Sequence, residues 1–349
     1  MPNAKIFKSV LDVLYYSGAS LALRRQFGGI GAIFMLHHVL PAETVASGFA
    51  PNAVLEVTPE FLDEVISMVE REGFDLVDLD EAARRIRLGG KPFASFTLDD
   101  GYRDNLIHAL PVFRRHNCPF TIYVVPAMAD GTCEIWWRVL EYAIARNERV
   151  TARVADALLE LDCSTAAAKW NAWKKLYWPV RSLEQHEQRR WTLAFGERHG
   201  IDVLRICRDS VMNWEEVRRI AADPLCTIGA HTVHHFNVKA LSPEGARSEM
   251  EQSINRITQE LGQRPQHFAY PYGDEASAGP RDFAIARELG LKTAVTTRKG
   301  MLFPAHGDHL TALPRFSLSG EYQNMRYMKT LMSGLPFALF NGLRNVNVT

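Results

Sequence analysis

The sequence is short of most features that would place it in a specialised class. It has no net charge: 40 Lys and Arg balance 40 Asp and Glu among 349 residues. A chain built to hold nucleic acid carries a basic excess, so that class is excluded. Cysteine is scarce. Cys118, Cys133, Cys163, Cys207 and Cys226 are an odd five, and none are spaced as C-x-x-C. This excludes a disulfide-stapled fold and a paired-thiolate zinc site, and reads as reduced thiols in a cytoplasmic protein. Long apolar runs are missing too. Near the N-terminus, the longest stretch free of Asp, Glu, Lys and Arg is Gln26–Ala42. It contains two histidines and several glycines, and is a poor membrane span. Asp12 interrupts the only segment resembling a signal-peptide core. Internal repeats and low-complexity linkers are absent.

The chain does have 47% hydrophobic residues and 23% charged ones, the proportions of a globular protein with a large core. Short β-prone apolar runs alternate with helical stretches. Expected strands are Ala32–Leu36, Phe74–Val77, Ala94–Leu98, Thr121–Val125, Thr227–Ala230, His267–Tyr270, Thr293–Thr296 and Leu313–Phe316. Expected helices include Pro59–Glu72, Asp104–His116, Trp214–Ala222, Glu244–Leu261 and Arg281–Leu289. Such alternation predicts an α/β fold with parallel strands, closed as a distorted barrel of about seven strands. Glu134–Asp209 breaks the rhythm. It is rich in Ala, Arg, Glu, Leu and Trp, has almost no strand signal, and is expected to be a helical insertion. The expected division is an N-terminal helical extension over 1–29, a barrel over 30–320 interrupted by the insertion at 134–209, and a C-terminal extension over 321–349. Ile6–Leu23 suits an amphipathic helix docked on the body or lying on a membrane surface.

Two constellations carry chemistry. Phe96–Thr97–Leu98–Asp99–Asp100–Gly101 places two carboxylates at a strand's end, where barrel enzymes hold their reacting groups. Close carboxylates repel, so a metal or proton must neutralise one; one metal ligand and one general base is the natural division. Capping of the next helix is the plain alternative. The second constellation is His231–Thr232–Val233–His234–His235, again after a strand. One helical turn would set His231 and His235 on a common face, spaced for a divalent ion. Two histidines and a carboxylate leave coordination positions open, as a catalytic ion requires. His234 is expected to point elsewhere.

These motifs resemble those of the NodB-homology polysaccharide deacetylases, carbohydrate esterase family four. Phe96–Gly101 is similar to the first family motif, His231–His235 to the second, and Phe268–Ala269–Tyr270–Pro271–Tyr272–Gly273 to the third. The resemblance spans most of Ile30–Leu318. It implies a (β/α) barrel that removes an N-acetyl group from an amino sugar in an oligosaccharide, polysaccharide or glycoconjugate. It implies that Asp100, His231 and His235 bind the metal, usually zinc, that Asp99 is the general base, and that Tyr272 offers its backbone N–H to the oxyanion. The family usually has an arginine where Ala269 stands here, so Asp99 must be oriented in another way. The third motif looks like the branch containing poly-N-acetylglucosamine deacetylases, whose early Tyr-His segment corresponds to Leu36–His37 here. His37 is then the first candidate for the general acid and His309 the second. Asp274 and Asp282 are candidates for a fourth motif, and Arg315 for a cation behind the site. O-acetyl ester hydrolysis, deacylation of a non-sugar amide, and sugar binding without catalysis are the rival readings. The expected location is the cytoplasm, including the inner membrane face.

Overall fold

The computed structural model describes residues 4–42, 48–154 and 157–348. The outermost positions of the two expected extensions, 1–3 and 349, lie outside the described residues. Eight parallel strands form one sheet: β1 (Gly31–Leu36), β2 (Asp75–Leu76), β3 (Phe93–Leu98), β4 (Phe120–Val124), β5 (Cys226–Ala230), β6 (His267–Ala269), β7 (Thr293–Lys299) and β8 (Leu313–Ser317). Because β1 pairs with both β8 and β3, seven strands close into a ring, with β2 outside it beside the start of β3. All eight expected strands are present. Phe74–Val77 shrinks to the two residues of β2 and supplies no stave of the barrel.

The alternation of side chains along each strand separates two apolar layers. Phe34, Phe96, Ile122, Phe268 and Phe316 face outward beneath the helices. Ile33, Phe93, Tyr123, Val295 and Leu313 face inward and plug the barrel below its mouth. Pro59–Arg71 shows how the outer helices form: Pro59 opens the first turn, and the Thr58 side chain accepts from the Phe61 N–H. Buried Phe61, Leu62, Val65, Ile66 and Val69 then follow at helical spacing.

Three expectations need correction. Glu134–Asp209 is not wholly helical. Besides Trp136–Arg146, Ala166–Arg181, Gln185–Arg198 and Val203–Ser210, it holds an antiparallel hairpin of Arg149–Val154 and Ala157–Asp162. Val150, Ala152 and Val154 are buried, an alternation of period two that short arms hide in an Ala- and Arg-rich context. The helix expected over Asp104–His116 starts as a π-helical turn, Asn105–Ala109, before the α-helix Leu110–Arg115. Pro111 has no N–H to give, and the turn before it widens. His231–His235 is a loop and not a helical turn.

Candidate active site

Strand register assembles the site. β1 and β3 run level through Leu36 and Leu98, so His37 and Asp99 leave the mouth side by side. Their closest approach is 3.9 Å, from His37 Nε2 to Asp99 Oδ2. Asp100 takes a left-handed backbone, φ 72°, as does Gly101 after it. This turn brings the second carboxylate over the mouth instead of leaving it on the opposite face of the strand.

Across the barrel, β5 ends at Ala230 and the chain enters the histidine loop. Thr232 and His235 both have positive φ, 55° and 59°. Glu249 holds this loop: one carboxylate oxygen accepts from the Val233 and His234 N–H groups, and the other meets His234 Nδ1 at 2.7 Å. His234 is thus the brace of the loop, outside the central cluster. His231 Nδ1 lies 2.6 Å from the Ala269 carbonyl, which leaves Nε2 for the centre.

His231 Nε2 and His235 Nε2 stand 3.4 Å and 3.3 Å from Asp100 Oδ1. One ligand atom from each of Asp100, His231 and His235 lies within 4.8 Å of the others, and all three residues are buried. Asp100 Oδ1 has no hydrogen-bond partner despite its burial. A buried acceptor without a donor is costly, and two imidazole nitrogens beside it form a donor set for a divalent ion. These residues therefore fit a metal. Burial opposes ionisation of Asp100, yet His235 and His231 hold its pKa well below the usual carboxylate range. Burial pushes His235 down, and Asp100 opposes it.

Asp99 has a different partner. Arg315, inward-facing on β8 and fully buried, grips both its oxygens at 2.7 Å and 2.6 Å. Arg315 is itself fixed by the Thr296 carbonyl and Thr97 Oγ1. Burial alone would raise the Asp99 pKa, but Arg315 outweighs it and holds the group ionised. A guanidinium from the last strand thus orients Asp99, with Ala269 at the third motif. His37 is pushed below its ordinary pKa by burial, against the pull of Asp99 and Asp100.

Tyr272 sits on the loop after β6 with φ 62°, its ring 4.9 Å from that of His235. His309 does not join the cluster. It precedes β8, in a 3-10 segment packed on the helix Leu79–Leu88, at the end where the strands start. Asp274 pairs with Arg181, and Asp282 accepts from the Gly279 N–H at its own helix start, so neither enters the centre.

Several residues at the mouth escaped the sequence reading. The Tyr102 ring stacks on His38 at 3.6 Å, and Asp104 meets His38 Nδ1 at 2.6 Å. The Tyr102 hydroxyl is buried without a partner; burial first, and then Asp100, push its pKa well up. Trp137, from the insertion, lies 5.0 Å from the His235 ring, and Trp136 Nε1 donates to the Tyr272 hydroxyl at 2.9 Å. The Asp-Asp-Gly-Tyr order was the available signal for Tyr102; the tryptophans carried none beyond their number.

The sequence profile of the polysaccharide deacetylase family matches residues 88–294, more than half of the chain. The chain belongs to the polysaccharide deacetylase family. It is a carbohydrate deacetylase, and the resemblance drawn from its motifs holds. No curated protein is a significant match. Among solved structures, the fold is similar to Streptococcus pyogenes deacetylase PplD in complex with acetate. The TM-score is 0.53 at 17% identity, over 87% of this chain and 97% of that one. IcaB from Ammonifex degensii gives 0.52 at 18%, over 88% and 98%. A de-N-acetylase from Aggregatibacter actinomycetemcomitans gives 0.53 at 12%, over 86% and 99%. At these identities the likeness is one of fold.

Proposed function

We propose that this carbohydrate deacetylase hydrolyses the N-acetyl group of an amino sugar in an oligosaccharide, polysaccharide or glycoconjugate, with metal and general base side by side. The observation that carries the reading is the pairing of two unlike carboxylates. Asp100 meets two histidines and keeps an oxygen without a donor, whereas Asp99 is clamped by Arg315.

Asp100, His231 and His235 would hold a divalent ion, with zinc the expected one. Bound there, it supplies Lewis acidity toward the acyl carbonyl and makes water a stronger acid. Asp99, ionised and fixed, takes the proton from the attacking water. Arg315 keeps the carboxylate aimed and charged. His37, at the mouth beside Asp99, delivers a proton to the leaving amine. The Tyr272 backbone N–H is assigned to the oxyanion, a contribution typically worth about 3 kcal/mol. His309, at the far end of the barrel, has no part in this scheme.

The test is acetate release from N-acetylglucosamine and its oligomers, with and without chelator. Chelator-insensitive release, or full activity in Asp99→Asn, overturns the mechanism. Release from O-acetyl sugars alone replaces the amide reading with the ester one.

Among the described residues no helix is long and apolar enough to cross a membrane. The helix Ala4–Tyr16 buries Leu11 and exposes Ile6, Val10 and Val13 on its other side. That row supports peripheral contact with the inner membrane face, alongside a cytoplasmic location. Flotation with anionic vesicles checks it, and Val10→Asp with Val13→Asp should abolish flotation.

A further inference from the structure

His37 stands at a bend. β1 ends at Leu36, and the chain leaves the barrel there for a two-residue parallel ribbon, His38–Val39 against Glu56–Val57. The approach of the His37 ring to Asp99, 3.9 Å, is too long for a hydrogen bond, so that pair does not fix the ring. A side chain placed in this way is aimed by whatever holds its backbone.

On the upstream side, the Leu36 carbonyl accepts from the Asp99 N–H at 3.0 Å. On the downstream side, Asp104 and Asn105 take hold, and both are buried. Asp104 Oδ1 accepts from the Val39 N–H at 2.8 Å, while Oδ2 meets His38 Nδ1 at 2.6 Å. Asn105 Nδ2 donates to the His37 carbonyl at 2.8 Å and to Asp104 Oδ1 at 2.9 Å. Residues 37, 38 and 39 are thus each gripped from this one pair.

The plain alternative is helix capping. Asp104 stands at the head of the π-helical turn Asn105–Ala109, where an aspartate ordinarily caps. Its side chain makes no such cap, and both oxygens reach across to residues 38 and 39. Asn105 is used at one end only: its Oδ1 is buried without a partner. A pair serving helix stability alone would cap the turn and match both ends of the amide.

We propose that Asp104 and Asn105 are positioning residues for the general acid, holding the bend so that the His37 ring stays beside Asp99. This rests on the reading of His37 as the acid and adds what aims it. The short stretch 99–105 then carries the base, one metal ligand and the hold on the acid, so the three share one frame.

The experiment is a double-mutant cycle between Asp104→Asn and His37→Gln, on the full chain loaded with zinc and with two substrates. The N-acetylglucosamine tetramer releases an amine that must be protonated, whereas 4-nitrophenyl acetate releases a phenolate that leaves without a proton. Asp104→Asn should lower kcat on the amide about tenfold to a hundredfold, the scale of a misplaced catalytic group, with KM within about twofold. The ester rate should change less than about threefold, because metal and base are untouched. Adding Asp104→Asn to His37→Gln should cost the amide rate nothing further. Asn105→Ala, which frees the His37 carbonyl, should repeat the pattern and serves if Asp104→Asn does not fold. Losses that add in the double variant, or an equal loss on amide and ester in Asp104→Asn, overturn the proposal. Full amide activity in His37→Gln overturns the reading of His37 itself, so the cycle separates the two failures.

Discussion

The two ends of the barrel are made by the same strands, and both hold buried histidines, yet they are built to opposite rules. At the mouth, Asp100, Thr232, His235 and Tyr272 all have positive φ; they are four of the six such non-glycine residues among those described. Of the other two, Asn117 is a residue type that tolerates this geometry, and Leu343 lies in the C-terminal segment. The mouth also keeps buried polar atoms without partners, including Asp100 Oδ1, the Tyr102 hydroxyl, Thr232 Oγ1 and His235 Nδ1. At the base, His267 shows the quiet alternative. It lies on a regular strand, its Nδ1 is 2.8 Å from Thr293 Oγ1, and its Nε2 faces Asp80 at 3.5 Å. Burial pushes its pKa down to about 4, against the pull of Asp80, and it stays neutral. A histidine alone therefore says little, and so does one unmatched atom, since buried His306 Nε2 at the base also lacks a partner; strained backbone together with several unmatched polar atoms marks the working end.

Perturbing the two ends should separate them. The largest effect belongs to the mouth: Asp99→Asn should lower acetate release about 10²- to 10⁴-fold, and should lower the melting temperature as well, because buried Arg315 then loses its carboxylate. Arg315→Met leaves the Asp99 charge buried and alone, and should cost about 3–5 kcal/mol in urea unfolding. Adding Asp99→Asn to it should recover part of that loss, which a plain packing defect would not allow. At the base, the folded pKa of His267 lies below its unfolded value, so the unfolded chain takes up the proton first. The His267 contribution is complete above about pH 6.5 and falls as the pH drops toward about 4, by up to about 3 kcal/mol. His267→Gln should flatten this part of the stability profile and leave turnover intact. The smallest effect is expected for His309→Ala, with less than about a twofold change in turnover, since the nearest site group is a barrel's depth away. A large loss there would erase the contrast between the ends.

Much of the barrel was legible because parallel strands buried on both faces read as apolar runs. The Asp99–Asp100 and His231–His235 pairs stood out because each follows such a run directly. What stayed hidden depends on register and on backbone shape. His231 and His235 converge through two left-handed residues in a loop, where their spacing had implied a helical turn. Ala269 at the arginine position announced that another cation was needed, but only the inward parity of β8 shows that it is Arg315. His309, the second candidate for the acid, precedes a strand, and direction along a parallel strand is the physical rule that puts it at the base of the barrel. The hairpin and the aromatic wall of the insertion arise from contacts across the fold, which local pattern does not carry.

The closure of the ring has a consequence for how this protein can be divided. The family match runs over 88–294, whereas β1 and β8, which meet each other and seal the barrel, lie outside it. A fragment cut to the matched segment would carry both aspartates and the histidine loop, and would look complete by motif. It would have lost His37 and Arg315. It would also cut β7 after its second residue and expose the flanks of β3 and β6 as bare strand edges, the kind of surface that templates aggregation. In this chain the first and last strands are a clasp, and opening it undoes the solubility of the fold together with the aim of its base.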